Sequence, residues 1–242
     1  MALPFSIVIP TYNEAAGIEK LLRALAATFA ANGLDGEVIV VDDNSPDGTG
    51  EVVEQLAREL PVRCLHRSGK LGLSSAVIDG WAIARSASAV LGAMDADFSH
   101  DVNALPKMVQ ALESGACGLA IGSRYVPGGG IANWPKRRII VSRVACWLAR
   151  PLTSVKDVTS GFFLVRRDAL DGVVLDPIGF KIGLEVIAKA HYGKAIEVPY
   201  VFTDRVAGES KLNEREIFNY LKQLRKLYSA WLRPKPAKER AA

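Results

Sequence analysis

The chain has 242 residues, of which 49% are apolar, enough for one large domain with a sizeable core. Its net charge of +4 is a mild surplus that suits an anionic substrate or an anionic membrane surface, and no nucleic acid is expected among its partners. No stretch reaches the roughly 18 apolar residues of a membrane span, and Met1 runs almost at once into a strand pattern with no basic secretory leader, so any membrane contact is expected to be peripheral.

Apolar runs of strand type alternate with amphipathic stretches, the mark of βαβ units in a mostly parallel sheet. The first strand is expected over Phe5–Ile9, where Pro10 should stop the ladder. Tyr12 then offers a flat face for a base, and Thr11 or Asn13 should cap a helix over Ala15–Ala31. The second strand, Glu37–Val41, runs into Asp42-Asp43-Asn44-Ser45-Pro46-Asp47-Gly48. Its tail is turn chemistry, but two leading carboxylates exceed what a turn needs, and one can hold a ribose or base by charge-assisted hydrogen bonds. Asp43, Ser45, Asp47, Gly48 and Glu54 mimic a calcium-loop spacing, which the preceding strand and Pro46 argue against.

A helix over Gly48–Leu60 leads to a third strand, Val62–His66, followed by Arg67-Ser68-Gly69-Lys70. The upstream glycine of a phosphate loop is missing, because Cys64 stands in its place, and no Ser or Thr follows Lys70. Arg67 and Lys70 remain diphosphate neighbours or a solvated loop. After a helix over Ser74–Ser86, the run Ala89–Met94 reads as a buried strand ending in Asp95-Ala96-Asp97. Two acids one residue apart at a strand's carboxyl end can share a hard divalent cation, which usually brings a phosphate with it. A helix over Asn103–Glu113 and a fifth strand, Leu119–Gly122, put Arg124 at the same edge.

The alternation then breaks. Val126-Pro127-Gly128-Gly129-Gly130 reads as a mobile loop, and a basic amphipathic segment follows over Lys136–Arg150. Gly161–Val165 and Ala195–Val201 are expected strands, and Glu216–Leu232 an amphipathic helix. One domain over residues 1–232 and a disordered basic tail over 233–242 complete the plan. Cys64, Cys117 and Cys146 lack metal spacing and are expected as buried free thiols of a reducing compartment. His66, His100 and His191 show no partner, and His100 reads as loop surface.

Several of these motifs together resemble a family 2 glycosyltransferase of the GT-A (Rossmann-like) α/β fold, with helices on both faces of the sheet, and within it the polyprenyl-phosphate (dolichyl-phosphate) mannose synthases. They are Pro10-Thr11-Tyr12-Asn13-Glu14, Asp42 to Thr49, Lys70-Leu71-Gly72-Leu73, Met94 to His100, Gly122 to Tyr125, Asp157 to Phe162 and Asp204 to Lys211. The Arg205–Lys211 motif and the basic segment around Arg138 point to the synthases.

The resemblance implies that Pro10, Tyr12, Glu14, Val41 and Asp43 bind the nucleoside of a nucleotide sugar, GDP-mannose by that likeness. It implies that Asp95 and Asp97 hold Mg2+ or Mn2+ on the diphosphate beside the Ala96 backbone, and that Arg205 and Lys211 close over it. Arg124, Arg138 and Ser142 would receive the acceptor phosphate. Some relatives carry a Gln two residues after the second acid, where Ser99 stands here, so the third protein contact to the metal is open between Ser99 and water. Arg138 and Ser142 lie four residues apart and share a helix face, setting a guanidinium beside a hydroxyl.

The implied reaction is inverting mannosyl transfer to a lipid phosphate. That nucleophile is already anionic at neutral pH, with a second pKa near 6, and needs no general base. Catalysis would rest on Asp97, Arg124, Arg205 and Lys211 through positioning and charge. The expected place is the cytoplasmic face of a membrane, with or without a separate small anchoring subunit. The alternatives are a polyprenyl-phosphate glucosyltransferase using UDP-glucose, a family member with a soluble acceptor, a nucleotidyltransferase, or a silent nucleotide-sugar binding module.

Overall fold

A computed structural model of the chain describes residues 2–203 and 214–232. The strands β1 (Phe5–Thr11), β2 (Gly36–Asp42), β3 (Val62–His66), β4 (Val90–Ala93), β5 (Leu119–Ser123), β7 (Phe163–Arg166) and β8 (Ala195–Pro199) form one sheet in the order β3-β2-β1-β4-β7-β5-β8. Every neighbouring pair is parallel except those of β7, which runs antiparallel between β4 and β5. Six strands therefore present their carboxyl ends at one edge. The order reverses between β1 and β4, the point at which open α/β sheets bind ligands.

Both faces of the sheet are covered. Alternate residues of β1 and β2 feed two cores: Phe5, Ile7, Ile9, Val38 and Val40 pack with Leu21 and Leu25 of α1 (Ala15–Asn32) and Met108 of α4 (Leu105–Glu113). Val8, Ile39 and Val41 pack on the other side with Val77 of α3 (Leu73–Ala82). That second core includes Leu184 of α6 (Ile182–Lys189), and Cys146 of α5 (Lys136–Leu148) and Leu224 of α7 (Glu214–Trp231). Strands buried on both faces read as unbroken apolar runs, which is why the sequence marks them. The short α2 (Thr49–Leu56) ends four residues before its expected boundary.

Pro10 does not end β1, which continues to Thr11. Val8 O accepts from Met94 N on one side and Thr11 O from Asp43 N on the other. Alternation then turns Pro10 toward the β4 side, beyond the last β1–β4 pair at Val8 and Ala93, where no ladder bond is lost. Neither Thr11 nor Asn13 caps α1. Ala15 N donates to Asp47 Oδ2 at 3.0 Å and Glu14 N to Thr49 Oγ1 at 3.0 Å, so the loop after β2 closes the helix end instead.

The expected strand Ala195–Val201 breaks at Tyr200 into β8 and β9 (Val201–Thr203). β9 pairs with β6 (Gly130–Ala132) at the end of the glycine-rich stretch, which is a hydrogen-bonded turn and strand. Cys117 and Cys146 are buried and Cys64 partly so; all three are free, and burial above all pushes the Cys64 thiol up to about 12. Among the described residues no helix is long and apolar enough to cross a membrane. The expected tail lies outside them.

Candidate active site

At the carboxyl ends of β1 and β2, Pro10 stands opposite Val41, and Tyr12, Glu14 and Asp43 follow directly after those strands. Tyr12 is exposed, with Lys70 Nζ 4.0 Å from its ring centroid, a cation–π contact. Asp43 is buried and firmly held. Arg67 donates to its Oδ1 at 2.6 Å and Gly72 N to its Oδ2 at 3.1 Å, while Arg67 also reaches Ser75, Asp79 and the Gly72 carbonyl. Arg67 is thus neither a solvated loop residue nor a free diphosphate ligand; it pins the loop before α3 against Asp43. Burial raises the Asp47 carboxyl, but bonds from Thr49 and from Ala15 N outweigh it and hold Asp47 below the usual carboxylate range.

At the end of β4, Asp95 and Asp97 both line the central cavity, with Ala96 buried between them. Phe98 takes φ +58°, a left-handed conformation that is costly for an aromatic residue. The turn this makes brings Ser99 back to Asp97, whose Oδ1 accepts from Ser99 Oγ at 2.5 Å and Ser99 N at 3.2 Å. His100 is not loop surface. It is 2% exposed, with Nε2 3.2 Å from Asp95 Oδ2 and Nδ1 2.8 Å from the Tyr200 hydroxyl. Gly161 backs the same carboxylate: a Cβ there would stand 3.1 Å from Asp95 Oδ2, so any side chain would press on the acid.

On the far side, Arg124 follows β5 and is buried. Its Nε and backbone N donate to Asp157 Oδ2 at 2.7 and 2.9 Å, and its Nη2 to Asp157 Oδ1 and Thr159 Oγ1, both at 2.6 Å. Burial opposes charge on both partners, but their mutual bonds prevail, holding Arg124 above and Asp157 below its ordinary range. Arg124 stands at the expected edge with its donors largely engaged. Ser142 shares a face of α5 with Arg138, and its Oγ lies 3.1 Å from Thr159 Oγ1. The Arg138 guanidinium stacks 3.8 Å from the Trp134 ring centroid.

Lys181, at the start of α6, lines the cavity and donates to the Thr159 carbonyl at 3.4 Å. Burial first, then the Arg124 charge, bring its ammonium down to about 8. The sequence offered no signal for Lys181 or Trp134, since nothing local to either names a ligand. Arg205 and Lys211 lie outside the described residues.

Residues 6–174 match the family described as Glycosyl transferase family 2. The chain belongs to glycosyl transferase family 2. This family member is 42% identical over 226 residues to a dolichol-phosphate mannosyltransferase of Pyrococcus furiosus, covering 92% of the chain and 63% of that protein, so it spans under two thirds of the archaeal relative. It is 39% identical over 239 residues to a dolichol-phosphate mannosyltransferase of Saccharomyces cerevisiae, covering 94% of the chain and 88% of that protein. Among solved structures, a mannosyltransferase from Pyrobaculum calidifontis in complex with GDP-Man and Mn2+ shares the fold at TM-score 0.66 and 19% identity, covering 98% of this chain and 66% of that one. The fold is the expected GT-A arrangement.

In this family 2 glycosyltransferase the donor set fits a hard divalent cation. Asp95 and Asp97 are oxygen donors lining one cavity, Asp95 Oδ2 beside His100 and Asp97 Oδ1 beside Ser99. Among the described residues no group of three or more His, Cys, Asp or Glu assembles there. Mg2+ and Mn2+ are commonly held by one or two carboxylates with substrate phosphates and water completing the shell, so a pair is sufficient. Ser99, the candidate third contact, has its hydroxyl on Asp97.

Proposed function

We propose that the protein transfers mannose from GDP-mannose to a polyprenyl (dolichyl) phosphate, inverting the anomeric carbon. One observation carries this reading. One cavity of about 390 Å3 is lined both by Asp95, Asp97 and Arg138 and by Ile140 and Val144 of α5 and Leu221 of α7. A nucleotide sugar matches the charged lining, and a lipid phosphate matches the combination, with its head near Arg138 and its chain along the helices. The names of the relatives support the same donor and acceptor classes.

Tyr12 would stack the base, and Asp43, held by Arg67, would take hydroxyl groups of the nucleoside. Asp95 and Asp97 would hold Mg2+ or Mn2+, which supplies charge stabilisation to the departing diphosphate. Arg205 and Lys211 would add cationic donors there. Arg138, Ser142 and Lys181 would draw in the acceptor phosphate against repulsion from the donor, with Arg124 contributing from behind through Thr159. The acceptor oxygen needs no base, and the histidines support that economy: His66 bonds Glu54, His100 is taken up by Asp95 and Tyr200, and His191 is exposed.

The lipid would be met at a membrane face, proposed as the cytoplasmic one. Ile140, Val144 and Trp147, at 61, 49 and 70% exposure, form a stripe on α5, and Phe218 and Leu221 continue it on α7. Exposed Lys136, Arg137 and Arg143 border it. An amphipathic helix of this kind suits the lipid interface, and a small anchoring subunit would serve the same end.

The test supplies purified protein with one radiolabelled nucleotide sugar at a time and a polyprenyl phosphate in detergent, scoring label in the organic phase. Transfer from GDP-mannose is the expected result. Transfer from UDP-glucose in its place, or label reaching only water-soluble products, would overturn the assignment.

A further inference from the structure

His100 lines the cavity beside Asp95 and is among the most enclosed polar side chains of the site. Its ring packs against Phe162, Tyr200 and Phe202, with centroids 5.3, 5.5 and 5.7 Å away. Both nitrogens are used. A carboxylate oxygen can only accept, so Nε2 carries the hydrogen that points at Asp95 Oδ2. Nδ1 lies 2.8 Å from the Tyr200 hydroxyl, so the two share a hydrogen bond in either form of the ring.

Tyr200 is itself anchored. It occupies the break between β8 and β9, where its N donates to the Ser123 carbonyl and its carbonyl accepts from Gly130 N. Three residues on, Thr203 N donates to the Ser99 carbonyl at 3.3 Å. The loop after β4 is thus tied twice to the Tyr200–Thr203 segment that contains β9, once through His100 and once through backbone. On its other flank Asp95 meets Gly161, where even a methyl group would crowd it.

We propose that His100, oriented by Tyr200, is a positioning residue that fixes the Asp95 carboxylate for a divalent cation and latches the cation loop to β9. The proposal rests on the reading of Asp95 and Asp97 as the cation pair. Outer hydrogen-bond partners of metal-binding groups set ligand orientation, and their removal commonly weakens metal affinity about 10–100-fold.

The experiment measures Mn2+ affinity of the full chain by electron paramagnetic resonance, with and without GDP. Wild type is compared with His100→Leu, His100→Gln and Tyr200→Phe, and each variant's Tm is recorded. Glutamine places an N–H near the Nε2 position and keeps the bond to Asp95; leucine keeps only bulk; phenylalanine deletes a single hydroxyl and leaves the packing. We expect His100→Leu to weaken Mn2+ binding about 10–100-fold, His100→Gln less than about tenfold, and Tyr200→Phe to fall between wild type and His100→Leu. Wild-type affinity in Tyr200→Phe together with equal losses in the leucine and glutamine variants would reduce His100 to a packing residue and overturn the proposal. If wild type binds no Mn2+ with GDP present, the cation reading itself fails, and the latch falls with it.

Discussion

Lys181 carries a finely balanced charge in this site. Its ammonium is buried in the wall of a cavity that the Arg124 guanidinium also lines, and burial first, then that charge, lower its proton affinity to about 8. Below that pH it is charged and can help hold an anionic substrate; above it the charge is lost. Between about pH 7, where the acceptor phosphate is already ionised, and about pH 8, kcat/KM should therefore hold roughly steady, and above it fall toward a limit of about tenfold per pH unit. Lys181→Arg, which stays charged throughout, should remove that alkaline limb. Lys181→Met should lower kcat/KM at pH 7 and flatten the profile. A wild-type limb that persists unchanged in Lys181→Met would assign the titration to another group.

At the scale of elements, the site depends on how closely α3 lies on the sheet. Gly80 makes that approach: a Cβ there would stand 2.6 and 2.7 Å from the Val8 methyl carbons and 3.0 Å from Val41 Cγ2. Gly80→Ala should push α3 off β1 and β2 and cost about 1–3 kcal/mol, read as a lower midpoint in urea unfolding. An unchanged midpoint would mean the sheet yields without strain. Elements of this kind were legible in the sequence where burial imposes a pattern. Strands β1 to β5 show as apolar runs, and the acids and Tyr12 show because each follows such a run. Direction is not written in a run, so β7 could not be seen to lie antiparallel between β4 and β5. β6 and β9 are three residues each, too short to carry a period. His100 looked like surface because its partners are 5 and 100 residues away, and Arg124 looked free because Asp157 is 33 residues on. Caps, too, came from another loop, as Asp47 on α1 illustrates.

The whole molecule juxtaposes a polar edge, where six strands end, with an apolar stripe on two helices. That layout fits the proposed pairing of a water-borne donor with a lipid acceptor. Each basic residue near an anionic leaflet adds about 1 kcal/mol, so the Lys136, Arg137 and Arg143 border should give salt-sensitive attraction while Trp147 and Val144 supply apolar insertion. Flotation with anionic vesicles should be strong at low salt, weaken as salt rises, and drop further in the double variant Val144→Ala/Trp147→Ala. Flotation unaffected by both salt and the double variant would place the membrane contact elsewhere.

The account stands most directly on the carboxylates after β4. Asp97→Ala should keep its Tm within a few degrees, since Asp97 lies at the cavity wall and outside both cores. The decisive measurement is transfer of labelled mannose from GDP-mannose into polyprenyl phosphate by wild type and Asp97→Ala, each with Mn2+ and with chelator. We expect wild type to transfer only with the cation, and Asp97→Ala with Mn2+ to run more than about 100-fold below wild type with Mn2+. Near-normal turnover by a folded Asp97→Ala enzyme would contradict the account.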